Sequence, residues 1–162
     1  MTSLANLGQI AEVLYTNENR ARYGNEVYGA FGKDFVTADG KRLIVMAISP
    51  RQWSGLVKVL KIETDIAAIE KQRNVSFDYD EGIRFEHRDV LYPLVTAKIV
   101  KWESAALKKA LDEVGGCWGE YQTLRDAVDD PALVKGNPIF SCLLYTSPSP
   151  RDQRGYRMPS SA

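Results

Sequence analysis

Few side chains in this sequence could act as acid, base or nucleophile, and their spacing does not favour it. His87 is the only histidine. A histidine base is ordinarily oriented by a partner group, and Glu86 and Asp89 are near it in sequence. Residues one or two apart on a helix do not face each other, however, so the spacing reads as a packed or solvated histidine. Cys117 follows two glycines and precedes Trp118, with no cationic group or base beside it to stabilise a thiolate. It reads as a small buried apolar residue. Gly24, Gly29 and Gly32 match neither a phosphate loop nor a dinucleotide fingerprint, which needs a strand before and a helix after. Asp39 is accounted for by a turn, and runs such as Lys108-Lys109 and Asp129-Asp130 read as solvated faces. No ligand spacing points to a metal, and none is expected.

Composition narrows the field further. The 162 residues carry 21 basic and 21 acidic side chains, so no basic field suggests a nucleic acid or an anionic membrane as partner. No apolar run approaches the roughly 20 residues that span a bilayer. The N-terminus lacks the basic and apolar regions of a secretory signal. The two cysteines, Cys117 and Cys142, are too far apart in sequence to suggest a disulfide framework. These readings together predict a cytoplasmic protein.

The elements that must position any site can be read from periodicity. Leu4, Leu7, Ile10, Ala11 and Leu14 recur at helical spacing and predict an amphipathic helix, followed by a connection at residues 17–20. The segment to Lys33 reads as a structured loop. Phe35-Val36-Thr37 and Leu43 to Ile48 are β-formers flanking Asp39-Gly40, a hairpin signal. Ser49-Pro50 opens a helix with Trp53, Leu56, Val57 and Leu60 on its apolar face. Thr64 or Asp65 is expected to cap the next helix, which carries Ile66 and Ile69. Ser76 to Gly82 links it to a longer helix from Ile83 to Ile99, bent at Pro93. Ser104 is the expected cap of a helix from Ala105 to Val114 that Gly115-Gly116 terminates. Residues 117–121 read as a short strand, and Thr123 as the cap of a last helical turn ended by Asp130-Pro131.

Residues 142–152 and 157–162 resemble a sequencing-library adapter read in one frame, so residues 142–162 are expected to be an adapter-derived, disordered tail. Setting them aside removes three of the 21 basic and one of the 21 acidic residues, leaving a net charge of −2. The protein proper is then expected to be cut near Ser141.

Several separated blocks carry a resemblance that composition does not. Arg22-x-Gly24-Asn25 and Thr37-Ala38-Asp39-Gly40 are similar to features found widely in the family III CoA-transferases. The run from Tyr28 to Phe35 resembles a branch of that family acting on mesaconyl-CoA, as do Ala47-Ile48-x-x-Arg51-Gln52-Trp53 and, downstream, Gly116-Cys117-Trp118-Gly119-x-Tyr121-Gln122-Thr123 with Asp130-Pro131. The resemblance implies an α/β chain, an α+β small domain lacking most of a Rossmann-like large domain. Residues 1–21 would lead from the large domain and 22–141 would form the small one.

It further implies interlocked homodimers, an acyl-CoA substrate with coenzyme A as part of that substrate, and no permanently bound cofactor. The nucleophilic aspartate is implied upstream of residue 1, so neither Asp34 nor Asp39 takes that role, no catalytic residue is expected here and the chain alone would be inactive. Where relatives carry a glycine-rich lid, this sequence has Glu26-Val27-Tyr28-Gly29. That departure suggests a tighter pocket lined by Asn25, Tyr28, Gly29 and Phe31. The alternatives are an intermolecular acyl-CoA:carboxylate transferase, an α-methylacyl-CoA racemase and, in another class, a non-catalytic α/β binding module.

Overall fold

A tight turn at Asp39-Gly40 folds the chain back on itself and sets the register of everything packed on it. The computed structural model describes residues 8–19, 21–135 and 137. They fall in two units, one ending at Tyr121 and one beginning at Gln122. The first carries α1 (Gln9–Thr16), β1 (Phe31–Val36), β2 (Arg42–Ala47), α2 (Pro50–Leu60), α3 (Glu63–Arg73), α4 (Glu81–Glu86), α5 (Arg88–Ile99), α6 (Ser104–Glu113) and β3 (Cys117–Glu120). The second carries α7 (Leu124–Asp129) and α8 (Pro131–Val134). Leu4, Leu7 and the 142–162 segment lie outside the described residues.

The sheet is antiparallel, in the order β1-β2-β3. Phe31 faces Ala47 and Val36 faces Arg42 across the hairpin, and Gly40 takes the positive φ, +75°, that the turn requires. β1 starts at Phe31 rather than after Lys33. Phe31 and Phe35 share the buried face of the sheet, an alternation that the neighbouring glycines obscure. Leu43, Val45 and Ala47 complete this face. They pack against Trp53, Leu56 and Leu60 of α2, Leu91, Val95 and Ile99 of α5, and Leu107 and Leu111 of α6. The result is an α+β arrangement with helices on one face of a small sheet. Cys117 pairs with Met46 on the opposite face and is therefore half-buried instead of belonging to the core.

Asp39 does more than shape its turn. Its carboxylate accepts hydrogen bonds from the Thr37 hydroxyl at 2.5 Å, the Ser104 backbone N–H at 3.1 Å and the Ser104 hydroxyl at 2.6 Å. Ser104 is thus not the side-chain cap of α6. It is the first helical residue, buried, and the anion at the helix N-terminus comes from the hairpin 65 residues away. Ala38 N–H also donates to the Trp102 carbonyl at 2.8 Å.

Other boundaries follow local chemistry. Ser49 and Gln52 form a reciprocal capping box at the start of α2, with Pro50 in the first helical position. Gly116 N–H bonds the Leu111 carbonyl and Gly115 N–H the Asp112 carbonyl, which closes α6 in a Schellman motif. α3 begins at Glu63 without a side-chain cap, so neither Thr64 nor Asp65 serves as one. The preceding Ile62 is fully buried, and packing sets this start. The expected helix from Ile83 to Ile99 is two helices that meet at His87, whose φ of −96° and ψ of 21° leave the helical region. Pro93 lies inside α5 on its exposed side.

Arg84 of α4 is fully buried. It donates to the carbonyls of Phe77 and of Ile48, the latter at 2.6 Å, and lies 5.5 Å from the Trp53 ring centroid. Desolvation lowers its pKa, opposed by Glu81, Asp80 and Asp78. Along α1, expected to be amphipathic, no residue is buried, and Leu14 and Tyr15 are largely exposed. In the second unit Thr123 and Asp126 form a capping box for α7. Asp130 ends α7 as expected, but the turn is not the last, because the same residue caps α8 through the Ala132 N–H at 2.8 Å.

Hydrogen bonds from Ser104 and Thr37 hold the Asp39 carboxyl at about 2, below its ordinary 3.8. A depressed folded-state pKa stabilises the fold above the unfolded value, and that contribution fades as pH falls through the folded one. We expect Asp39→Asn to lower stability to urea at neutral pH. It should also reduce the loss of stability between pH 3.8 and about 2, as measured by urea titrations across that window.

Candidate functional site

The loop before β1 is built by two turns. Glu26 N–H bonds the Tyr23 carbonyl at 3.1 Å, with Gly24 at φ +60°. Val27 N–H then bonds the Gly32 carbonyl at 2.8 Å, with Gly29 at φ +78°. Both glycines occupy the left-handed region that side chains disfavour. The Gly32 carbonyl also accepts from the buried Tyr92 hydroxyl at 3.0 Å. Space at Gly32 is tight: a Cβ there would lie 2.7 Å from a Val27 methyl carbon and 3.0 Å from Met46 Cγ.

Aromatic rings secure the outer part of this loop. Tyr23, Tyr28 and Phe85 meet pairwise with centroids 5.2 to 5.4 Å apart, two of the contacts edge-on. The Tyr28 hydroxyl donates to Glu12 of α1 at 2.6 Å, and about half of Tyr28 remains exposed.

Beside this loop an open cleft of about 460 Å³ follows the edge of β1, with Asn25, Lys33, Asp34, Arg42 and Val100 among its lining residues. Asp34 pairs with Arg42, which stands diagonally across the hairpin on the same face. Burial would raise the Asp34 pKa, but hydrogen bonding from Arg42 and Asn25, together with the Arg42 charge, outweighs it and lowers the value. Asp34 is therefore an ionised, engaged carboxylate.

Of the four expected pocket residues, Asn25 alone lines this cleft. Gly29 turns the loop and Tyr28 lies in the aromatic cluster. Phe31 does not reach that surface. It is fully buried, with its ring centroid 5.2 Å from both Trp53 and Tyr92. His87 packs edge-on against Phe77 at 5.8 Å, and Asp89 pairs with Arg73. The sequence reading overlooked Arg42, although the Asp39-Gly40 turn fixes its register against Asp34. It also overlooked Phe85 and Glu12, which reach the loop from elsewhere in the chain. Among the described residues no cluster of ligands could hold a metal, and no helix is long and apolar enough to cross a membrane.

The sequence profile described as CoA-transferase family III matches residues 2–144. A protein of Chloroflexus aurantiacus named 2-methylfumaryl-CoA isomerase is 32% identical over 142 residues, 87% of this chain and 34% of its own length. The crystal structure of a CAIB/BAIF family protein from Brucella suis superposes with a TM-score of 0.61. It is 22% identical, and the match covers 80% of this chain and 32% of that one. The likeness in structure shows a shared fold. The chain spans about a third of the length of these relatives.

Placement in the core or on the loop surface makes different demands. Phe31→Ala is expected to reduce the free energy of unfolding by about 3–5 kcal/mol. Tyr28→Ala, which removes a half-exposed ring, should cost about 1 kcal/mol. Paired urea unfolding curves check both; equal losses would contradict the placement.

Proposed function

The chain belongs to CoA-transferase family III, and from that premise we propose that it forms the small-domain part of a 2-methylfumaryl-CoA (mesaconyl-CoA) isomerase. The enzyme moves CoA between the C1 and C4 carboxyls of one dicarboxylate, so it is an isomerase by net reaction and a transferase by mechanism. A carboxylate supplied by the large domain attacks the thioester carbonyl. The CoA thiolate leaves and a mixed anhydride remains. Attack by the thiolate on the enzyme's own acyl group then releases the free dicarboxylate and leaves an enzyme-bound CoA thioester. The other carboxyl of the same dicarboxylate repeats these steps in reverse. Nucleophilic catalysis of this kind divides one difficult exchange into easier ones.

In this reading the chain's own residues bind and enclose. Asn25 faces the substrate from the cleft, Tyr28 and Gly29 form the adjoining wall, and Phe31 supports that wall from within the core. The observation that carries the intramolecular reading is the packing of the loop. Tyr23 and Tyr28 rest on Phe85, and Tyr28 is bonded to Glu12. A fixed wall keeps the released dicarboxylate oriented and shielded from water until its second carboxyl reacts.

The test uses the full-length protein and the C1 thioester of 2-methylfumarate, with formation of the C4 thioester followed by chromatography. Turnover should need no added acid, whereas transfer that depends on a free acceptor acid would eliminate the intramolecular mechanism. Tyr28→Ala should slow turnover by on the order of 10- to 100-fold, and Tyr28→Phe, which keeps the ring packing, by less. The 162-residue chain assayed alone should be inactive.

A further inference from the structure

Arg88, the first residue of α5, is in contact with both the loop and its support. Its Nε donates to Glu26 Oε2 at 3.1 Å, and another guanidinium nitrogen donates to the Phe85 carbonyl at 2.8 Å. The guanidinium carbon lies 5.2 Å from the Tyr23 ring centroid and 4.3 Å from that of Phe85. The Arg88 and Glu26 side chains are only 30% and 23% exposed. The pair is therefore better shielded than a fully solvated ion pair, whose contribution is usually small. One planar group thus grips the loop at Glu26 and Tyr23 and the α4–α5 junction at Phe85, across 62 residues of sequence.

We propose that Arg88 is a positioning residue: it clamps the Tyr23–Tyr28 segment to the α4–α5 junction and so holds Asn25 at the acyl-CoA cleft and Tyr28 in the wall beside it. This rests on the reading of that loop as substrate-facing. The clamp acts through Glu26 and the rings, and Arg88 itself does not touch the substrate. Lysine can restore the charge but cannot stack in a plane while donating sideways, so the geometry needs arginine. The clamp also explains how a loop with left-handed glycines on both sides of Glu26 stays in one place.

The experiment compares R88A, R88K, E26A and the double variant R88A/E26A in the full-length protein, by CoA-transfer kinetics and by amide hydrogen exchange. In R88A, amides of residues 23–30 should exchange about tenfold faster or more while those of β2 are unchanged. Its kcat should fall on the order of a hundredfold with a smaller change in KM. E26A should reproduce much of that loss, the double variant should match R88A within about threefold, and R88K should recover only part. Should R88A fail to fold, R88K and E26A carry the same comparison.

Additive losses in the double variant would mean that Arg88 contacts substrate directly and would overturn the proposal. So would unchanged loop exchange, or an unchanged kcat alongside a loosened loop. A wild-type protein without CoA transfer overturns the functional reading instead, and the positioning role falls with it. The exchange comparison still shows whether Arg88 holds the loop.

Discussion

The Asp39 carboxylate lies where the hairpin turn meets the start of α6, and the order of the sheet depends on it. A tight turn of this kind needs a residue that binds its own neighbours, which Thr37 provides. The free N–H groups at a helix start need an anion, and here Ser104 finds the same carboxylate. One side chain therefore satisfies a local and a distant requirement together. Because α6 runs directly through its Gly115-Gly116 close into β3, anchoring its first residue also limits where β3 can meet β2. The hairpin register then decides which residues share a face: Phe31 and Phe35 inward, and Asp34 with Arg42 toward the cleft.

A second constraint concerns the buried end of β2. The Ile48 carbonyl emerges next to the core, and Arg84 supplies its donor from α4 along with one for Phe77. Enclosing a guanidinium is costly unless its donors are used; here two of its nitrogens reach carbonyl oxygens, while the buried Nε has no hydrogen-bond partner among the described residues. The interaction locates α4, which holds Phe85 against Tyr23 and Tyr28 of the loop before β1. The chain of dependence runs from a buried charge through a short helix to an aromatic cluster at the surface. The loop needs no secondary structure of its own to have a defined shape.

What could be read in the sequence was local. The Asp39-Gly40 hairpin, the Ser49-Pro50 helix start, the Gly115-Gly116 helix close and the short strand that begins at Cys117 are each specified by residues within a few positions of one another. Where a distant partner decides the outcome, the reading went astray. Ser104 looked like a cap because serine usually is one. Its role depends on Asp39, and nothing near it in sequence says so. The break at His87 was displaced to Pro93 because proline is the stronger local signal, yet an exposed proline can remain within a helix. The block from Arg22 to Phe35 marks the loop and strand that run beside the cleft. Phe31 could have been assigned inward from its spacing to Phe35. Arg88, 62 residues from Glu26, left no sequence signal that would join it to the loop.

Gly32 shows how little freedom remains where the loop joins the sheet. Its missing side chain is the space that the Val27 methyl and Met46 occupy, and its carbonyl receives donors from both the loop and α5. The acceptable residue at any one of positions 27, 32 and 46 is therefore conditional on the other two. A larger residue at 32 becomes tolerable once the side chain at 27 is trimmed, while the same change made first is blocked. Drift in the loop and drift in the sheet are coupled through this one contact, and the order in which replacements arise decides which combinations can be reached.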